Sequence, residues 1–316
     1  MEMKKKHFII PLGLIFVFGL WSNAFAESYP NGVLGMKAAS LPPPGKYLKN
    51  FNVFVMADEM VDKDGNDLPI GFDVLAYVNC TQYIWVTDKK FLGGDYLFDF
   101  LIPIWAADVE IAAQNQHLHG YGFGDLILEP FGLAWHGPRY DAVIAAGVII
   151  PTGDQTLPIG TYDQWTGLIS FGATAYFDDK KTWSACILNR VEFNTKDRTA
   201  QYTRGPDFHF EWGIGKSYMI EKVMLDVGAA GYCQWQIADD KGSPWVVDNI
   251  TGLAAPGDKG KPDTAYGVGP EVQAFFTEHK IMVNARALIE VGVKSADAGV
   301  GRPEGTRIIV TLIKLF

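Results

Sequence analysis

The sequence is poor in cysteine, with three residues, Cys80, Cys186 and Cys233, spread over 316 positions. An odd and widely spaced set supplies neither a disulfide framework nor the ligand spacing of a structural zinc site. Past the first thirty residues there is no apolar run long enough for a membrane-spanning helix. A basic excess is also missing. The formal net charge is −9, and removing a leader with three lysines and one glutamate takes it to −11, which speaks against a nucleic-acid partner. Clean helical heptads are absent, while aromatic residues make up 13% of the chain and glycine occurs 34 times, a balance that favours β structure.

What is present begins with Lys4, Lys5 and Lys6, an apolar run from Phe8 to Leu20, and Ala24-Phe25-Ala26. This order predicts a secretory leader over residues 1–26, cleaved before Glu27. No cysteine follows the cleavage site, so a lipid anchor is not expected. Pro42-Pro43-Pro44-Gly45 reads as a stiff linker closing an N-terminal periplasmic segment over residues 27–45.

From residue 46 onward the chain alternates. In FHFEWGIGKSYMI, Phe208, Phe210, Trp212 and Ile214 share one parity, and His209 and Glu211 share the other with Asp207. The embedded Gly-Lys-Ser is not a phosphate loop, because Phe210 stands where the first glycine must be. The same period of two runs through Lys222–Ile237 and Lys280–Lys294. These stretches exceed the usual strand length of a soluble sandwich. About twelve of them are predicted: 46–58, 70–87, 94–108, 123–135, 140–150, 165–177, 182–194, 207–218, 222–237, 265–277, 280–294 and 306–316. Tight joints such as His136–Arg139 and Asp178–Lys181 alternate with longer ones such as Val109–Gly122, Pro151–Gln164 and Ala238–Thr264. Short periplasmic turns opposite long outer loops mark an all-β, transmembrane, antiparallel up-and-down barrel in the outer membrane, where a closed sheet pairs every backbone group. Trp85, Trp105, Trp135, Trp165, Trp183 and Trp235 near strand ends are expected in interfacial girdles against lipid. The terminal Phe316 resembles the signal read by the barrel-assembly machinery.

Charges on the other parity are expected to line the lumen: Asp99, Glu129, Arg190, Glu192, His209, Glu211, Asp226, Arg286 and Glu290. They read as a narrow conduit or binding site, or as ion pairs that close the lumen. No catalytic set, metal or cofactor is expected. Asp62–Asp73 imitates a calcium loop but holds Asp67 where glycine is needed, and His117 and His119 lack a third ligand nearby.

From Leu41 to Phe316 the chain resembles the outer-membrane family named for the meta-pathway of phenol degradation. The likeness is carried by LPPPGKY (41–47), GFGDLILEP (122–130), IPTGD (150–154), YDQWTG (162–167), RTAQYTRGPDFHFEWGIG (198–215), GYCQWQIADD (231–240) and GVGPEV (267–272). Its motif positions include Gly122, Gly124, Asp125, Pro151, Thr152 and Gly153. The resemblance implies a barrel that passes small hydrophobic or aromatic compounds. Aromatic residues at Tyr162, Trp165, Tyr202 and Trp245 read either as rim contacts for such compounds or as membrane anchors. The competing readings are an outer-membrane lipid hydrolase, which would need Ser170, Ser184 or Ser217 beside a histidine, and a plugged structural or sensory barrel without transport.

Overall fold

The computed structural model describes residues 28–154, 161–199, 203–242, 245–247, 254–256, 263–295 and 301–316; the expected leader and Tyr202 lie outside these residues. The strands in chain order are β1 (Gly45–Val61), β2 (Phe72–Phe91), β3 (Gly94–Ile111), β4 (Gln116–Phe123), β5 (Leu126–His136), β6 (Tyr140–Ile150), β7 (Thr166–Tyr176), β8 (Trp183–Asn194), β9 (Asp207–Ile220), β10 (Val223–Gln236), β11 (Trp245–Val247), β12 (Ala254–Pro256), β13 (Thr264–Phe276), β14 (Ile281–Lys294) and β15 (Arg302–Leu315). Strands β11 and β12 pair only with each other, within the long connection between β10 and β13.

Twelve strands close on themselves. Each pairs antiparallel with its sequence neighbour in the wall, and β1 pairs with both β2 and β15, so the wall has no free edge, and among the described strands of this sheet only β4, which pairs with β3 alone, carries one. Closure leaves no unpaired backbone row facing hydrocarbon, the condition a membrane places on any spanning sheet. An even strand number puts Gly45 and Leu315 at the same end, which also carries the two-to-six-residue turns. In barrels of this kind that end is periplasmic.

The alternation sorts as the sequence predicts on most of the wall. On β9, Asp207, His209 and Glu211 are buried inside, while Phe208, Phe210, Trp212 and Ile214 face outward. Outward Trp85, Trp165 and Trp183 are 40%, 47% and 45% exposed, and lysines sit over two of them, Lys46 over Trp85 and Lys216 over Trp183. Rings with a cation above them suit the boundary between tails and head groups.

Three expectations need correction. Trp105 points inward and is 2% exposed, because its residue shares the parity of Leu101, Ala107 and Val109 rather than that of Ile102 and Ile104. Val109–Gly122 is not an open loop: β3 continues to Ile111, turns through a single 3-10 turn and returns as β4, so three strands rise past the rest of the rim. Most importantly, residues 28–44 do not stand outside the barrel as a periplasmic segment. They lie within it, with Tyr29, Asn31, Met36 and Ala39 each 1% exposed or less.

The imitation calcium loop has a different use for its first carboxylate. Asp62 Oδ1 accepts from the Asp64 and Asn66 amides at 2.8 and 2.9 Å, and these bonds, the Asn66 amide foremost, hold the exposed carboxyl below the ordinary aspartate range.

The lipid-facing assignment is checked by Ile187→Arg, four residues along β8 from Trp183 and 42% exposed on the outer wall. A guanidinium placed on the outer wall near the membrane midplane is expected to lower stability in lipid vesicles by about 2–4 kcal/mol, read from denaturant titration of the folded barrel. A change near zero would mean that this face is not in hydrocarbon.

Candidate functional site

A segment without regular structure brings unpaired amides and carbonyls into any space it fills, and each buried one needs a partner. Residues 28–44 find theirs on the wall. Glu192 accepts from the amides of Ser28 and Tyr29 at 3.2 and 3.1 Å. Glu211 accepts from Leu34 and Gly35 at 2.8 and 3.1 Å, and Glu271 accepts from Met36 at 2.9 Å. Guanidinium groups take the carbonyls: Arg286 donates to Gly32 O at 2.8 Å and Arg307 to Asn31 O at 3.2 Å. The Ala39 amide donates to Cys186 Sγ at 3.2 Å, and two turns within the segment use the carbonyls of Gly35 and Lys37. Side chains add Asn31 to Gln234 at 3.0 Å, Lys37 to Asp226 at 2.9 Å and Ser40 to Thr174 at 2.8 Å.

Close approach makes these bonds geometrically available. A Cβ on Gly213 would fall 2.1 Å from Met36 Cα, so β9 must present bare backbone there. Gly35 adopts φ +80° and any Cβ on it would strike the Glu271 carboxylate and the Arg286 guanidinium. The segment therefore threads a slot shaped by glycine on both sides.

All nine charged residues expected on the inner parity lie buried on the inner wall. Glu192 lies 3.2 Å from His209 Nε2 besides holding the segment. Arg190 donates to Ser170 Oγ at 3.0 Å and lies under the Tyr29 ring at 3.5 Å. Asp99 accepts from Gln82 at 3.1 Å, and Glu129 lies beside Ser170 at 3.5 Å. Glu290 accepts from Arg307 at 2.8 Å and from the Tyr232 hydroxyl. Sequence reading missed Glu271, Arg302, Arg307 and Tyr29. Glu271 stands in GVGPEV on the inward parity of a recognised strand, so its position was available, whereas Tyr29 gave no signal because it precedes every strand.

The charges occupy one side of the lumen. Across from most of them the inward residues in the outer-loop half of β1, β2 and β3 are apolar, as at Phe51, Val53, Val55, Val78, Leu101 and Trp105, while Lys49, Gln82 and Asp99 lie nearer the turn end of the same strands. Here the expectation of a wet inner face fails, because those side chains pack against Tyr29 and Val33 of the segment. A cavity of about 100 Å³ remains, bounded by Phe51, Val53, Val78, Leu101, Trp105 and Ile127, with Tyr29 and Arg307 on the segment side. Nearer the turn end lies a second cavity of about 400 Å³ with mixed walls, including Lys49, Asp99, Glu129, Asp141 and Tyr176 together with Leu41 and Leu315. Tyr29 borders both the apolar cavity and the mixed one.

The glycine-rich motif forms a clasp beside the dry cavity. Between β4 and β5 the wall changes partner, and Asp125 bridges the gap by accepting from the amides of Gly153 at 2.8 Å and Tyr162 at 3.1 Å. Thr152 Oγ1 accepts from Leu126 N at 3.0 Å, and Gly124 N donates to Pro103 O at 2.9 Å. Gly122 lies against Asp154, and Pro151 leads into the turn at the top of β6. Tyr162 is buried here under Arg204 at 4.8 Å instead of standing at the rim. Trp165 is exposed outward, and Trp245 lies on β11. His117 and His119 project from β4, with His117 Nε2 2.8 Å from Asp108. Of the serines, Ser170 is paired with Arg190 and Glu129, and Ser217 with Lys37 and Asp226; neither pairing includes an imidazole. Ser184 Oγ is buried without a partner.

Residues 57–302 match the family model described as "Putative MetA-pathway of phenol degradation". The chain belongs to this family. No curated protein matches it in sequence. Among solved structures, the COG4313 outer membrane channel from Pseudomonas putida F1 is 13% identical, with a TM-score of 0.66 over 92% of this chain and 100% of that one. The beta domain of the Bordetella autotransporter BrkA is 11% identical, with a TM-score of 0.49 over 87% and 100%. At 13% identity, the likeness to the Pseudomonas channel speaks to the fold, which this family member shares as an outer-membrane type of barrel.

Two substitutions test the site. Gly213→Val is expected to push the segment off β9 and raise single-channel conductance in planar bilayers above that of the wild type; unchanged conductance from a folded barrel would contradict the described seat. Asp125→Ala removes the acceptor of two amides and is expected to cost about 1–3 kcal/mol, seen as a lower unfolding midpoint.

Proposed function

We propose that this barrel is an outer-membrane conduit for small hydrophobic molecules of about one aromatic ring, which rest in the dry cavity before passing Tyr29 into the mixed chamber. The observation that carries the reading is the apolar sector of the lumen. A soluble-solute pore has no use for Phe51, Val53, Val78, Leu101 and Trp105 on its inner wall, and water gains little from a space with so few polar partners. Empty apolar cavities of about 150 Å³ stay dry and take up benzene, so a space of about 100 Å³ suits a compact ring after small movements of its lining. Membership of a family named for phenol degradation supports the same class of cargo. Release toward the turn end would bring the cargo beside Asp99, Glu129 and Tyr176, where a hydroxyl could find partners.

The segment inside the lumen favours a second reading, a closed barrel that senses or supports without transport. Both are separated by filling the cavity. Val78→Trp, on β2 at the cavity wall, is expected to abolish the extra uptake of labelled toluene and phenol by cells carrying the protein, while heat-modifiable gel mobility shows an intact barrel. If cells with and without the wild-type protein take up these compounds equally, transport is the wrong reading. The exposure of Phe316, whose amide donates to Lys46 O at 3.1 Å, supports recognition of this residue by the barrel-assembly machinery.

A further inference from the structure

At mid-height the outward positions of the wall are aliphatic or aromatic, as at Ile144, Ile169, Ile187 and Val310. Asn189 is a single polar interruption, and its amide donates to Phe171 O at 3.2 Å. One sector breaks the pattern. On the outward parity of β1 and β2, Asn50, Asn52, Tyr77, Asn79 and Thr81 lie side by side, in the register Asn50↔Thr81, Asn52↔Asn79 and Phe54↔Tyr77. Asn79 is six residues above Trp85 on the same strand, which with ordinary strand rise and tilt is about 14 Å, or half of an apolar band about 25 Å tall. Head groups do not reach that depth.

The five side chains bond to one another. Asn50 Nδ2 donates to Asn79 Oδ1 at 3.1 Å and to Thr81 Oγ1 at 2.9 Å. Asn52 Nδ2 donates to Asn50 Oδ1 at 3.0 Å, and Tyr77 OH donates to Asn52 Oδ1 at 2.7 Å. Asn79 Nδ2 returns to Asn50 and Asn52 at 3.1 and 3.0 Å. This ring lets a lone barrel enter the bilayer. It leaves acceptor capacity on Asn79 Oδ1 and a hydroxyl proton on Thr81, and acyl chains can use neither.

We propose that the outward face of β1 and β2 is where two copies of this chain meet within the membrane. An amide carries donors and acceptors in equal measure, so the patch is its own complement. A twofold axis along the membrane normal through Asn50 and Asn79 sets amide against amide, the self-complementary contact that closed dimers use. Hydrogen bonds between polar groups in hydrocarbon hold membrane segments together, where lipid supplies no competing partner. Around the patch, exposed Leu48, Phe54, Leu75 and Ile102 provide an apolar rim that packs as well against a second barrel as against tails. This contact is independent of what the lumen carries.

The test uses the full-length exported protein. In lipid nanodiscs, native mass spectrometry is expected to give a dimer for the wild type and a monomer for Asn50→Leu/Asn79→Leu, with both folded by heat-modifiable mobility. In outer membranes oxidised with copper phenanthroline, Leu48→Cys or Phe54→Cys is expected to yield a disulfide-linked dimer. Cys233, which faces outward on β10 four strands around the wall, is the internal control and should give none in the wild type. Should the double variant fail to fold, the cysteine pair decides alone. A wild type that is monomeric in nanodiscs, a dimer indifferent to the two leucines, or rim cysteines that link to a protein of another mass or to nothing would each overturn the proposal.

Discussion

An irregular stretch of chain can rest inside a closed sheet only if the sheet hydrogen-bonds its backbone, and long ionised side chains do this from across the lumen. Glu192, Glu211 and Glu271 collect amides, while Arg286 and Arg307 collect carbonyls. Each of these charges would be expensive if it stood alone in a dry interior. Here it meets either an opposite charge or a peptide dipole, so the polar sector and the segment are interdependent.

That interdependence explains why the lumen is divided. The strands from β8 to β15 need charges because they hold the segment; β1, β2 and β3 meet mainly its apolar side chains and can present an apolar inner face to it. The space left over lies against the second group, and so it is dry. A uniformly polar lumen would fill with water, and a uniformly apolar one could not seat residues 28–44.

The wall was largely legible in the sequence because a half-polar strand writes its period of two directly, and Trp212 opposite Glu211 is unambiguous wherever the strand is placed. Strand β4 was hidden for a related reason: QHLHGYGF extends past the wall and pairs on one side, so neither face needs to be apolar and the period is lost. Trp105 was misplaced because its position near a strand end suits a girdle as well as a cavity wall, and parity alone had to decide. The location of residues 28–44 was not readable locally. Its prolines describe a stiff linker, but the partners that draw it inside lie 134 to 276 residues away, as with Ser40 and Thr174 or Asn31 and Arg307.

The segment lies upstream of β1, and β1 forms the seam with β15, the last strand of the wall. Its partners come from β7 to β15, so most of its docking surface does not exist until the sheet is nearly complete. The ring can then shut only around an occupant already in place, or else admit it through an end afterwards. Chain order thus ties the last pairing of the wall, β1 with β15, to the seating of a segment that precedes every strand.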